Sequence, residues 1–110
     1  IARTAWVILS ENLGVLADRA RLDPHELHRV VLSVPGVRGA HAIRTRGSPD
    51  HVHVDLHVHL DPQMPLAQAH ERTHAVVDAL RARFPQIADV VVHAEPADGR
   101  ERDLSRIAPR

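Results

Sequence analysis

Apolar and polar residues alternate without a miss through HVHVDLHVHL, residues 51–60. His51, His53, Asp55, His57 and His59 share one parity, and Val52, Val54, Leu56, Val58 and Leu60 share the other. Successive strand side chains point to opposite faces, so the stretch predicts a half-buried β-strand. The Val/Leu parity belongs to a core, and the His/Asp parity points outward. LDPHELHRVVLSVPGV has helical spacing instead. Asp23 suits an N-cap, Pro24 the first helical position, and Glu26 the reciprocal place in a capping box. Leu27, Val30, Val31 and Val34 form its apolar stripe, and Pro35-Gly36 ends it.

The same reading extends along the chain. Residues 37–46, VRGAHAIRTR, read as a first strand. Gly47-Ser48-Pro49-Asp50 is a turn that makes a hairpin with the histidine strand. A second helix follows over residues 65–84, with Leu66, Ala69, Thr73, Val76, Leu80 and Phe84 at helical spacing. Pro85 closes it, and residues 88–95 form a last strand stopped by Pro96. The order α-β-β-α-β predicts an α+β sandwich, its sheet covered on one face by two helices. The other face is then open to a partner or ligand. Residues 1–20 read as a lead-in with partial helical character, 21–96 as the domain, and 97–110 as a polar tail expected to be mobile.

Composition narrows the functions. A chain of 110 residues with one Trp, one Phe and no Tyr has room for one modest aliphatic core. A net charge of zero lacks the electrostatic footprint of a nucleic-acid binder, so no nucleic-acid partner is expected. With no cysteine, disulfides and thiolate metal sites are excluded. No stretch is long and apolar enough to insert into a membrane. The chain starts at Ile1, from which a longer natural protein is expected.

Ten histidines are the anomaly. Neutral imidazole and carboxylate are the usual ligands of Zn²⁺ and other first-row divalent cations. Such donors fall at His41 on the first strand, at the five outward positions of the second, and at His93 and Glu95, two apart on the last. His70 and His74 lie four apart on the second helix, on one side of it. His70 borders the apolar stripe, and His74 lies further round, toward solvent. His51, His53 and His59 also read as plain polar strand residues, and His25, His28 and His74 as solvated helix residues. His41 shares parity with Val37 and Ile43, which leaves a core role open for it. No HExxH or similar compact signature is present.

Residues 16–96 nevertheless carry an ordered set of features. These are Leu16-Ala17-Asp18, a Pro-Gly-Val turn at 35–37, Gly39-x-His41 followed by Arg44-Thr45-Arg46, and a strand centred on His57. Asp61-Pro62, Ala69-His70 and Val92-His93-x-Glu95-Pro96 complete it. The set resembles the cytoplasmic C-terminal domain of cation diffusion facilitator transporters. The resemblance implies a metallochaperone/ferredoxin-like fold, a V-shaped homodimer and cytoplasmic cation binding that tunes a membrane exporter. It implies a partner in that transporter's transmembrane domain, to which residues 1–20 would link, and metal ligands at His41, His57, His70, His93 and Glu95. Some relatives carry Asp at the last position. A divalent cation is expected, Zn²⁺ first, with Fe²⁺, Co²⁺, Ni²⁺ or Mn²⁺ also compatible with nitrogen and oxygen donors. No enzyme is expected, because no nucleophile elbow or phosphate loop is present. A metal-independent dimerisation domain, a free-standing metal-binding relative and a metal-free pH sensor are the alternatives.

Overall fold

A computed structural model describes residues 1–16 and 22–98 of the chain. The elements are α1 (Ala2–Leu16), α2 (Pro24–Leu32), β1 (Gly39–Ser48), β2 (His51–Leu60), α3 (Leu66–Arg83) and β3 (Ile87–Pro96). The strands form one sheet in the order β1-β2-β3. β1 and β2 are an antiparallel hairpin, while β3 joins β2 in parallel after the α3 crossover. The predicted sandwich of two helices and three strands is present, and α1 is added to it.

β2 is the central strand, and its alternation sets the layers. Val52, Val54, Leu56, Val58 and Leu60 are all buried. They form one core with Leu27, Val31 and Val34 after and within α2, and with Val76, Leu80, Phe84 and Ile87 from α3 and its end. Fully burying an aliphatic side chain contributes about 1.5–3 kcal/mol, so this single inner layer dominates the stability of the domain. Leu66, expected in the α3 stripe, is 86% exposed at the helix start. In the first turn of α3 it is Ala69 that packs on the core, and the fully buried positions of the helix are Val76 and Leu80.

The α2 N-terminus is capped as expected by Asp23, whose carboxylate accepts from the His25 N–H at 2.9 Å. Glu26 does not take the reciprocal capping-box place. It lies 3.7 Å from Arg29 and 3.9 Å from Arg83, so it pairs with cations of its own helix and of α3. α1 leaves Trp6, Val7, Ile8, Leu9 and Leu13 exposed, so the lead-in is far more helical than its mixed composition suggests. No helix among the described residues is long and apolar enough to cross a membrane. The predicted mobile tail lies outside the described residues from 99 onward.

The β1–β2 register carries the feature that matters most for function. His41 pairs with His57, but the next pair is Arg44 with Asp55. Ala42 and Ile43 therefore stand opposite the single residue Leu56, a β-bulge, with Ala42 in the left-handed region at φ 51°. The extra residue reverses the parity of β1. Ile43 packs against the core while His41 looks the other way.

Candidate metal centre

The open face of the sheet gathers donors from all three strands. Register places His41 beside His57 and His57 beside His93, so three imidazoles cross the sheet in one row. His59 lies beside Glu95 one step further along. The rings of His41 and His57 have centroids 5.0 Å apart, those of His41 and His59 4.7 Å, and those of His57 and His93 4.8 Å. The core role left open for His41 is thus excluded by the bulge, which turns it onto the histidine face.

Glu95 is the hub of this cluster. His57 Nδ1 lies 2.5 Å from Glu95 Oε1, and a carboxylate can only accept, so the ring donates from Nδ1. Glu95 Oε2 lies 3.5 Å from His41 Nε2 and 3.4 Å from His59 Nε2. The hydrogen bond from His57 holds the Glu95 carboxyl below its ordinary value of 4.5. Partial desolvation opposes the shift, and the positive potential of His41, His57 and His59 assists it. The carboxylate is therefore kept anionic amid imidazoles, the charge state a cation site requires.

Three ligating atoms, one each from His41, His59 and Glu95, lie within 4.8 Å of one another. All are nitrogen or oxygen, which suits borderline divalent cations and argues against a Cu⁺ specialist. The donor set fits the cation that the sequence led us to expect. Of the five residues named from the sequence, His41, His57, His93 and Glu95 come together. His70 does not join them: it pairs with His74 on α3, their Nε2 atoms 3.0 Å apart. His59 is the member that sequence reasoning set aside. Its side chain is only 12% exposed. Its signal was its parity with His57, two residues away, read together with the Glu95 position on the neighbouring strand.

The other outward residues of β2 belong to different surroundings. His51 and His53 contact each other, with centroids 5.2 Å apart. Asp55 lies 3.9 Å from Arg46, and these two line a recess with Arg44 and Thr45.

Comparison with known proteins agrees with this architecture. Residues 21–97 match the family described as cation efflux protein, cytoplasmic domain. The chain is 44% identical over 85 residues to the cation-efflux pump FieF of Pectobacterium atrosepticum, covering 74% of this chain and 27% of that protein. It is 36% identical over 99 residues to FieF of Cronobacter sakazakii, covering 83% of this chain and 33% of that one. The chain thus spans about a third or less of these relatives. Among solved structures, the nickel form of a MamM CTD variant superposes with a TM-score of 0.64 at 28% identity, covering 67% of this chain and 94% of the other. The manganese form of another variant gives 0.62 at 29% identity, covering 66% and 91%. The chain belongs to the family of cytoplasmic domains of cation efflux proteins.

Proposed function

We propose that this chain is the regulatory domain of a divalent-cation exporter, which binds the cation on its open sheet face and homodimerises to tune transport. One observation carries the reading: His41, His57, His59, His93 and Glu95 converge from three strands on the face that α2 and α3 leave uncovered. A face of imidazoles around one anionic carboxylate is unsuited to a dry protein core and well suited to a cation. The nickel, manganese and cadmium forms of the MamM CTD variants support a divalent ligand of this class. Zn²⁺ is the first choice for nitrogen and oxygen donors without sulfur.

When bound, the cation supplies positive charge that links strands, and protomers if donors come from two copies. The chain's own residues do the rest. Glu95 provides the charge, His57 orients it, and His41 is aimed by the bulge. His70, exposed on α3, is a donor presented to a second copy of the chain. Only a closed dimer would then complete the ligand set, and differential binding would shift the population toward closure. The exposed apolar side chains of α1, Trp6 and Ile8 among them, support a continuation toward the membrane half of the transporter.

The test is a calorimetric Zn²⁺ titration of chelator-stripped chain at neutral pH, with sedimentation and thermal unfolding on the same samples. Saturable binding, lost in the His57→Ala, His93→Ala double variant and accompanied by a more compact dimer, is expected. Mass, shape and thermal stability that ignore the cation would sink the reading and leave a metal-independent dimerisation domain.

A further inference from the structure

The first half of α3 carries a pair of imidazoles that the sheet cluster does not use. His70 and His74 stand four residues apart, and such residues are neighbours on one side of a helix. Both are exposed, and both lie inside α3, so the helix fixes their backbone. His70-Glu71-Arg72-Thr73-His74 has the HExxH spacing, which the reading of the sequence passed over. On a helix that spacing sets two imidazoles toward one ion.

The rings take that arrangement. Their centroids are 4.5 Å apart with the planes at 87°, and each turns its Nε2 to the other's at 3.0 Å. Two nitrogens 3.0 Å apart, each about 2.0–2.1 Å from one ion, subtend an angle of about 90–100° at it. That lies between the octahedral and tetrahedral values, a range open to borderline divalent cations. Glu71, three residues before His74, and Asp78, four after it, are exposed carboxylates on the same side of the helix, and they add negative potential. The next cation along that side, Arg81, is turned to the Ala88 carbonyl oxygen at 3.1 Å. Among the described residues no third side-chain donor makes a three-donor group with the pair. Its remaining coordination positions are left to water.

We propose that His70 and His74 form a second cation site, a chelate across one turn of α3 for a borderline divalent cation. Family resemblance implies a ligand at His70 and none at His74; the chelate needs both. α3 packs against the core face of the sheet, and the Glu95 cluster lies on the other face, so the two sites stand apart within one chain. The chelate is the weaker site, because two neutral rings hold the ion without a carboxylate ligand. It goes beyond the reading of the sheet face and does not depend on it.

The test uses the whole chain labelled with ¹⁵N at histidine, stripped with chelator and titrated with Zn²⁺ at neutral pH. The Nε2 signals of His70 and His74 are expected to move together, at higher Zn²⁺ than those of His57 and His93. In His74→Ala, which keeps the helix because alanine is its best former, the His70 signal is expected to stay still. Adding Glu71→His to His74→Ala returns the number of histidines at adjacent positions, which do not face each other, and is expected not to restore the response. In the His57→Ala, His93→Ala variant the tight binding goes and the joint movement of His70 and His74 remains. A His70 signal that moves equally without His74 would overturn the chelate and leave His70 a single donor. Signals of His70 and His74 that ignore excess Zn²⁺ would reduce the pair to a hydrogen bond between two neutral rings. The sheet cluster is read from its own signals, so its failure and that of the chelate are told apart.

Discussion

The two halves of the outward face of β2 are built from the same material and end differently. His51, His53 and Asp55 form one half, and His57 and His59 the other, along a strand with uninterrupted alternation. The first half meets Ser48, Arg46 and Arg44 on β1 and Asp89 and Val91 on β3. The second half meets His41 and Gly39 on β1 and His93 and Glu95 on β3. Arg46, 3.9 Å from Asp55, places positive charge beside it, which opposes a cation there. Imidazoles beside Glu95 leave the carboxylate available. Alternation within a strand thus decides which face a residue takes, and register with its neighbours decides its chemistry. The bulge between His41 and Arg44 marks the border.

That border is where the comparison breaks most completely. Deleting Leu56, which stands opposite the bulge, reverses the alternation of β2. Either His57 and His59 turn inward against the core or Val52 and Val54 turn outward. We expect both the loss of saturable Zn²⁺ binding and a fall of several kcal/mol in stability, about the cost of a misplaced core side chain. Denaturant unfolding and calorimetry on the same samples check this. Ala42→Gly should do the reverse. Left-handed backbone costs a non-glycine residue about 1–2 kcal/mol, and glycine returns part of that as chain entropy. Stability should rise by up to about 1 kcal/mol with binding retained. A Leu56 deletion that binds normally would show that alternation in β2 does not place the cluster, whereas deleting Ala42 sets His41 and Ile43 on opposite faces of a regular strand and should leave the cluster in place.

Next in size is the contrast between the two carboxylates. Glu95→Ala removes the group that touches His41, His57 and His59. Affinity should fall about 100-fold, or about 2.7 kcal/mol. Asp55→Ala, on the same face of the sheet, should stay within about twofold of the parent. Equal losses would mean that the whole face acts as a diffuse anionic surface and that no site is built.

At the turn that opens the first half, Gly47 has φ 103°, and a Cβ there would stand 2.3 Å from the His51 carbonyl oxygen. Gly47→Ala should cost about 1–3 kcal/mol through strain and backbone displacement. Thermal unfolding should register this, whereas Zn²⁺ affinity of the folded protein should change little, because the cluster lies at the other end of β2.

These contrasts show how far the sequence could be read. Strict alternation in β2 was enough to place five aliphatic residues in the core and five polar ones outside. Proline and glycine at Pro35-Gly36, Asp61-Pro62 and Pro85 marked the ends of elements, because each is incompatible with continuing the structure before it. Asp23-Pro24 marked a helix start for the same kind of local reason. The bulge had no such mark. Its left-handed residue is an alanine, not the glycine or asparagine that would have announced it, so the parity of His41 was misleading. The membership of His59 was equally hidden. It depends on the β2–β3 register, which the α3 crossover sets through long-range packing and not through any local pattern. Resemblance to a family brought His41 forward but not His59, which the β2–β3 register sets beside Glu95.

A smaller effect follows from protonation of the hub. Hydrogen bonding from His57 depresses the Glu95 carboxyl from its ordinary 4.5. A folded-state value below the unfolded one means that Glu95 stabilises the fold above the ordinary carboxylate range. The contribution is lost as pH falls through the folded value, when Glu95 takes up a proton. Measured without metal, the stability gap between the parent and Glu95→Gln should be present at pH 6 and close progressively below about 4.5. Glu95 is 39% exposed, so solvent screening keeps the gap modest. A gap that widened on acidification would reverse the sign and remove the carboxylate from its assigned charge state.

The smallest expected effect is the most discriminating. His51→Gln with His53→Gln removes two of the four histidines from the outward face of β2 and keeps polarity and approximate size. If histidine density alone made the site, affinity would fall with their number. If register makes it, the pair is irrelevant, since the nearest ring to each is the other and the cluster around Glu95 has no contact with either. Zn²⁺ affinity should remain within about twofold, and stability within about 0.5 kcal/mol, as for surface substitutions. The same exchange at His57 and His59 should abolish binding. Two substitutions identical in chemistry, on one strand and one face, would then differ only in what the neighbouring strands place beside them.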